Sequence, residues 1–446
     1  MASTKISRTP SGAGNRNKWT ISLWLKRAKI GVEQVIASCY GDSNNQTQIK
    51  FESDDQLYFN DENSGNTNGR IVSNAKYRDT NAWYHMVFIW DKDNSTSDDK
   101  LRMYVNGERI TSFSDTGNAP SALSEWNSTT AQQFGAKSSS DYFDGIMSHI
   151  HFCDGYAYEP TEFGETDSTT GEWKIKTSPS VSYGTNGYFW LKDDVATTDH
   201  SPNSNTFTAS GTLTKTEDNP SNVFATFNPL NVPTSDKPTF AAGNTDLDSC
   251  GNAGLFHGSS TLGMSSGKFY AEFKWKSNNY AVAGVSSRAR NDARENKRPG
   301  AESGSYGFEL YNGGVKVNNS TLGGFSGSSL SIGDILCIAI DCDNNKLYFR
   351  KNGDAWMNSG DPTSGSTGTG AVSLTAATGG DYDGFWFFVI GDGDTSSSSK
   401  ISANFGNGYF LTTAVSSAGT NASGLGIFEY DVPAGYTALS TKGLNE

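Results

Sequence analysis

The chain has 446 residues, a net charge of −13, and 35% apolar residues, a large share of them aromatic (10 Trp, 19 Tyr and 25 Phe). That length allows two or three domains, each large enough for its own core. The acidic balance argues against nucleic acid or an anionic membrane surface as partner, and the lack of any run of about 18 apolar residues argues against membrane insertion.

The 49 glycines and the many Ser, Asn and Asp residues favour short strands joined by turns, and no Ala/Leu/Glu/Lys run supports a long helix. The N-terminal 18 residues are basic without an apolar centre, so they do not read as a signal peptide. From residue 18 the chain alternates: Trp19, Ile21, Leu23 and Leu25 share one face of a half-buried strand. Further strands are expected at 34–39, 48–52, 56–59, 70–73, 83–90, 101–105, 133–136 and 143–152, separated by polar turn-formers. Asn106-Gly107 marks a hairpin. This spacing, with no helical pattern between strands, means a sandwich or a barrel over residues 1–160.

Residues 161–222 read as an extended connecting segment with one strand at 187–192, lying on the domain surfaces. Its aromatics Tyr188, Phe189, Trp190 and Phe207, with Phe224 and Phe227 just beyond, need a place to pack. Residues 223–446 repeat the style of the first domain, with strands at 268–275, 281–286, 305–310, 314–317, 335–341, 346–350, 385–390 and 400–405. Asn352-Gly353 is expected to close a second hairpin, and 433–439 to dock a last short strand. The expected fold class is all-β, with two antiparallel β-sandwich (jelly-roll) domains in tandem.

Five cysteines occur without a CxxC pair. An odd count without a framework suggests free thiols and a reducing cytoplasm, with a Cys39–Cys153 bridge as the alternative. Strand alternation points Cys337 and Cys342, five apart, to opposite faces.

Three segments of the first domain resemble the laminin-G-like, concanavalin A-like family: Thr20-Ile21-Ser22-Leu23-Trp24-Leu25-Lys26; Trp83-Tyr84-His85-Met86-Val87 with Leu101–Gly107; and Phe143-Asp144-Gly145-Ile146. The second domain resembles the SPRY family at Ser266–Phe273, Gly333–Asp341 with Lys346–Gly353, Phe385–Val389 and Ile401–Gly406. Tyr183–Phe189 and Asp218–Leu230 look like the linker of tandem proteins in tailed bacteriophages, notably marine ones. The resemblance implies a virion surface protein, made in the host cytoplasm: a tail or head fibre, decoration or adhesin subunit. Its implied partners are other virion proteins, host cell-surface polysaccharide and further copies of itself as a homo-oligomer. No coiled-coil heptads or short β-helix repeats support a long shaft.

Enzymatic chemistry finds little footing. A retaining glycosidase on this scaffold would carry paired carboxylates such as Glu-x-Asp-x-x-Glu on one strand, and none occurs; Glu52, Asp54 and Asp55 read as a solvated turn. His149 and His151, two apart on a strand, share a face and form either a metal pair or two ordinary imidazoles. Laminin-G-like domains often bind calcium at a loop edge. Asp91, Asp93, Asp98 and Asp99 in one loop, and Asp392 and Asp394 in another, offer oxygens for that ion, although turn chemistry alone also yields such clusters. The basic run 288–298 reads as a solvated loop or a contact for an acidic partner. For carbohydrate binding, Trp126, Tyr142, Tyr280, Trp356 and Tyr382 lie in or beside loops where an aromatic can stack on a sugar. The expected function is non-enzymatic binding of host glycan or a neighbouring virion protein; the alternatives are a glycan depolymerase and a purely structural decoration.

Overall fold

Trp19, Ile21, Leu23 and Leu25 are fully buried on one face of a ten-residue strand, as their alternation predicts. Around that strand a computed structural model describes residues 3–193, 195–232, 238–249, 256–277, 280–288, 297–378, 384–393 and 399–445. The chain divides into two compact units, Met1–Lys215 and Thr216–Glu446.

The first unit contains, in chain order, β1 (Lys5–Arg8), β2 (Lys18–Arg27), β3 (Gln34–Asp42), β4 (Asn45–Phe51), β5 (Gln56–Asn63), β6 (Asn66–Lys76), β7 (Trp83–Asp91) and β8 (Leu101–Val105). Then follow β9 (Glu108–Arg109), β10 (Phe113–Thr116), β11 (Gln132–Phe134), β12 (Gly145–Asp154), β13 (Gly164–Thr166), β14 (Trp173–Ile175), β15 (Tyr188–Trp190) and β16 (Thr208–Ser210). One antiparallel sheet runs β10-β6-β5-β4-β3-β11-β1-β16 and the other β15-β12-β2-β7-β8-β9. Their inner faces enclose an aromatic core of Trp19, Phe59, Trp90, Trp126, Phe134, Phe152, Tyr188 and Trp190. Asn106 (φ 50°) and Gly107 (φ 83°) close the β8–β9 hairpin with the left-handed backbone such a two-residue turn requires.

The connecting segment expected at 161–222 is a correction. β15 pairs with β12 through Ile150↔Trp190 and Phe152↔Tyr188, and β16 pairs with β1, so this stretch completes both sheets of the first unit. The driving force is in its own aromatics: Tyr188, Trp190 and Phe207 enter the core. Phe224 and Phe227 instead pack in the second unit.

The second unit holds β17 (Thr239–Ala241), β18 (Asp246–Ser249), β19 (Phe256–Ser259), β20 (Lys268–Trp275), β21 (Ala281–Ser286), β22 (Ser305–Glu309), β23 (Val315–Val317) and β24 (Ser320–Thr321). It continues with β25 (Ile335–Asp341), β26 (Lys346–Lys351), β27 (Val372–Ser373), β28 (Phe387–Asp392), β29 (Ile401–Asn404), the hairpin β30 (Tyr409–Phe410) and β31 (Thr413–Ala414), and β32 (Thr437–Ala438). One sheet runs β17-β18-β29-β20-β25-β26-β27, with β32 docked parallel to β20 as the last short strand expected of the tail; the other runs β19-β28-β21-β22-β23-β24. The second hairpin is misplaced in the sequence reading. β25 turns back into β26 through 342–345, where Asn345 has φ 55°, while Asn352 leaves the sheet and anchors the start of β25 by accepting from the Ile335 N–H at 2.8 Å.

Cys39, Cys153, Cys337 and Cys342 are free and buried, which removes the Cys39–Cys153 bridge; Cys250 lies outside the described residues. Cys337 and Cys342 do occupy opposite faces, Cys342 between the sheets and Cys337 beneath the C-terminal tail. Among the described residues, no helix is long and apolar enough to cross a membrane.

Candidate functional site

The aromatics expected to meet sugar are scattered. Trp126 is fully buried, 5.9 Å from Trp19 and 5.8 Å from Phe134, and is core rather than contact surface. The cause is the turn before it. Asp61 accepts from Thr47 Oγ1 (2.6 Å), Ser124 Oγ (2.8 Å), the Glu125 N–H (2.9 Å) and Asn68 Nδ2 (2.9 Å), which pulls residues 124–126 into the sandwich. Tyr142 is half-buried and bridges to Val35 at the end of β3. In the second unit Tyr280 is exposed, edge-on to Tyr311 at 4.6 Å, and Trp356 is half-buried beneath the Arg350 guanidinium at 4.8 Å. Tyr382 lies outside the described residues.

The acidic loop does not converge on a metal position. Asp91 faces Lys18 at 3.2 Å and Asn94 at 3.2 Å, Asp93 pairs with Lys92 at 2.6 Å, and Arg109 binds Asp99 Oδ1 at 2.7 Å and the Asp98 carbonyl at 2.6 Å. The carboxylates of Asp91, Asp93 and Asp99 therefore face the protein's own cations. Among the described residues no three His, Cys, Asp or Glu side chains are grouped to hold a metal, so the calcium expectation does not fit these residues. Asp392 accepts from the Ser399 N–H at 2.8 Å, and Asp394 lies outside the described residues, as does most of the basic run 288–298. His149 and His151 do share a face, against the Phe189 ring at 5.5 and 4.0 Å. His151 Nδ1 meets the Tyr183 hydroxyl at 2.9 Å and His149 Nδ1 the Ser148 hydroxyl at 2.7 Å; burial pushes His149 down to about 4 and His151 well below its ordinary value. Asp55, expected in a solvated turn, is buried and paired with Arg27 at 3.0 Å and Arg78 at 2.9 Å.

What the fold does bring together is a polar cleft of about 520 Å³ in the first unit, walled by residues 11–15, 154–156 and 184–186. β12 ends on Asp154, and Gly155 turns the chain with φ 89°. Asp154 Oδ1 accepts from the Asn15 N–H at 2.8 Å and Asn127 Nδ2 at 2.6 Å; Oδ2 accepts from the Asn186 N–H at 3.0 Å. Asn127 Oδ1 in turn accepts from Asn186 Nδ2 at 2.9 Å, and the Gly14 N–H donates to the Asn127 carbonyl at 3.0 Å. One carboxylate thus ties three separate chain segments together by hydrogen bonds.

Two glycines give the cleft its depth. A Cβ on Gly14 would stand 2.5 Å from Asp154 Oδ2, and one on Gly184 (φ 66°) 2.1 Å from the Asp154 carbonyl. Tyr156 closes one side. It is 40% exposed and its ring lies parallel to Tyr158 at 5.3 Å, so a flat aromatic surface is presented to solvent with its orientation fixed. None of Asn15, Asn127, Asp154, Tyr156 and Asn186 stands out in the sequence. The available signal was the density of Gly and Asn around Asp154-Gly155-Tyr156 and Tyr183–Gly187, which reads as turn chemistry.

Residues 3–162 match the model of a family described as the concanavalin A-like lectin/glucanases superfamily. The fold is concanavalin A-like. No curated protein matches the chain. Among solved structures it is similar to the SPRY domain of human HERC1, at 16% identity over 40% of this chain and 96% of that one, with a TM-score of 0.29. It is also similar to the native heptameric SAP-like pentraxin of Limulus polyphemus (16% identity, 35% of this chain, 72% of that one, TM-score 0.27). A candidate carbohydrate-binding protein of Bacteroides ovatus ATCC 8483 is similar at 14% identity over 47% of this chain and 59% of that one, with a TM-score of 0.30.

Proposed function

We propose that the chain is a non-catalytic carbohydrate-binding protein of a bacteriophage particle surface, and that its first unit takes sugar in the Asp154 cleft. The observation that carries this reading is the combination in that cleft of a fixed exposed ring, Tyr156, with hydrogen-bonding groups from Asn15, Asp154 and Asn186 on glycine-cut walls. Sugars present just this mixture of hydroxyls and C–H faces. Binding without reaction is favoured because, among the described residues, Asp154 is the one carboxylate lining the cleft, whereas hydrolysis in either stereochemical course uses two. The particle setting rests on the resemblance of Tyr183–Phe189 and Asp218–Leu230 to phage tandem proteins; partners on the virion and self-association belong to the same proposal.

The test is a glycan array of the full chain, followed by calorimetric titration of its best ligand. Tyr156→Ala should weaken that ligand about tenfold, the loss of roughly 1.4 kcal/mol of aromatic contact, while leaving the melting temperature within about a degree. An empty array together with tight binding to purified capsids or tails would replace sugar recognition by a purely structural role on the particle.

A further inference from the structure

Residues 157–183 leave the Asp154 cleft from one wall and return to it on another, since 154–156 and 184–186 are themselves cleft walls. Between those ends they cover the outer face of the smaller sheet. Tyr158, Phe163, Val181 and Tyr183 of this cover pack on Cys153 and Phe189. Trp173 on β14 passes between two glycines, where a Cβ on Gly107 or Gly164 would stand 2.6 Å from its ring, and stacks on His85 at 5.9 Å. The sheet beneath carries three buried imidazoles, His85 on β7 and His149 and His151 on β12.

The cover is tied to two of them. Trp173 Nε1 donates to His85 Nδ1 at 2.9 Å, and the Tyr183 hydroxyl meets His151 Nδ1 at 2.9 Å. An indole N–H only donates, so the first bond exists only while Nδ1 is bare; a proton there would set two N–H groups face to face. The tyrosine hydroxyl can turn and accept, so His151 contributes through its burial instead. From β2 the Ser22 hydroxyl (2.8 Å) and the Trp24 ring (4.9 Å) face His85, and Lys26 is buried further along that strand. β8 brings Tyr104 and Arg102, the latter paired with Glu159 of the cover. The electrostatic neighbours of His151 are His149 and His85, whose positive charges would oppose its own. In the cover, Lys174 pairs with Glu165 and Asp167, and Lys176 binds the Thr161 carbonyl. Among the described residues no carboxylate is placed to support a charge on His85 or His151.

We propose that residues 157–183 are an acid-released latch on the Asp154 cleft: a proton on His85 frees Trp173, the cover lifts from the sheet, and the cleft walls at both its ends come apart. The regulatory half of this rests on the reading of that cleft as the binding site. Two paths carry the movement there. Tyr183, held through its hydroxyl by His151, accepts the Asp154 N–H on its carbonyl at 2.9 Å. Tyr158 backs the Tyr156 ring at 5.3 Å, lies edge-on to Phe163 at 6.3 Å, and accepts the Ser182 N–H on its hydroxyl at 3.0 Å. Under the closed cover burial holds His85 down to about 3, whereas an imidazole in water titrates near 6.5. Closure is therefore fully favoured above pH 6.5. Below it, each pH unit moves the ratio about tenfold toward the open form for every imidazole that takes its proton only when open.

Two thiols make the test, because Cys153 lies under the cover and Cys39 in the core between the sheets. The full chain is pulsed with dithiodipyridine between pH 7 and pH 5, each rate is taken relative to free cysteine at the same pH, and the modified peptides are identified by mass spectrometry. Cys153 should react at least about tenfold faster at pH 5 than at pH 7 while Cys39 stays protected, and His85→Gln should cut that rise at least about threefold. If that variant does not fold, seen as Cys39 reacting at pH 7, His151→Gln takes its place with the same expectation. The best-bound glycan of the array, at about a hundred times its Kd, should slow Cys153 at pH 5 at least about tenfold, because sugar and proton hold opposite forms. A Cys153 rate that does not rise, or rises only in step with Cys39, overturns the latch, as does a rise the histidine variant leaves whole. A rise that bound glycan does not slow overturns the link to the cleft. An empty array overturns the reading of the cleft and the link with it, and Cys153 alone then decides the latch.

Discussion

Gly14 decides whether the cleft exists. Its backbone is not in the left-handed region, so alanine is conformationally allowed there and the penalty is contact alone: a Cβ would lie 2.4 Å from Asn127 Nδ2 and 2.5 Å from Asp154 Oδ2. Neither neighbour can retreat freely, because each holds the other at 2.6 Å. Gly14→Ala should therefore cost about 1–3 kcal/mol as an overpacked site and lower the melting of the first unit by several degrees. Sugar affinity at the cleft should drop at least about tenfold, read by titration with the ligand of the parent chain. Gly12→Ala, with open space around its Cβ, should leave melting unchanged. Equal affinity in Gly14→Ala and the parent would show that the Asn127–Asp154 pair does not shape the binding surface. Residues of this kind were illegible in the sequence. Asn15, Asn127, Asp154 and Asn186 are spread over 172 positions, and each one alone looks like an ordinary turn former.

Elements were far more legible than sites, because alternation records which face of a strand is buried. The reading failed where tertiary pairing overrode local signals: at 161–222, whose strands have few residues each, and at Asn352-Gly353, whose turn chemistry serves an anchor instead of a hairpin. It was silent about β13 and β14, which cover the outer face of the smaller sheet. There His85 is stacked between Trp24 at 4.9 Å and Trp173 at 5.9 Å. Trp173 Nε1 donates to His85 Nδ1 at 2.9 Å, which assigns the imidazole proton to Nε2, the nitrogen that meets Ser22 Oγ at 2.8 Å. Burial alone pushes this imidazole down to about 3. Removing the cover by Trp173→Ala should cost about 3 kcal/mol and let water reach the ring, so that its titration, followed by proton NMR of the imidazole, moves up toward 6.5. An unmoved titration would mean that the hairpin is not what excludes solvent from His85.

For the whole molecule, the buried titratable groups are divided unevenly between the units, and the two should answer acid differently. The first unit holds His85, His149 and His151, all pushed below 6.5 by burial. Their neutral forms belong to the folded state, so the stability they confer is present above pH 6.5 and is lost as pH falls toward 4 and 3. Asp61, which burial raises to about 6, and Asp144, which burial also raises, oppose them, but they are two carboxyls against three imidazoles. In the second unit Glu272 is the main carboxyl concerned: burial raises it to about 7, against hydrogen bonds from the Glu429 and Tyr430 N–H groups (2.9 and 2.8 Å), the Tyr270 hydroxyl (3.0 Å) and Asn404 (3.2 Å). Its contribution is fully present below pH 4.5 and is lost as pH rises through 7, the opposite sign. Calorimetric melting of the full chain between pH 7.5 and 4.5 should show two transitions, the one lowered by Trp173→Ala marking the first unit. Acidification should lower that transition relative to the other. If both shift by the same amount in the same direction, the three imidazoles are not held neutral by the fold, and the packing of His85 beneath Trp173 is looser than its stacking implies.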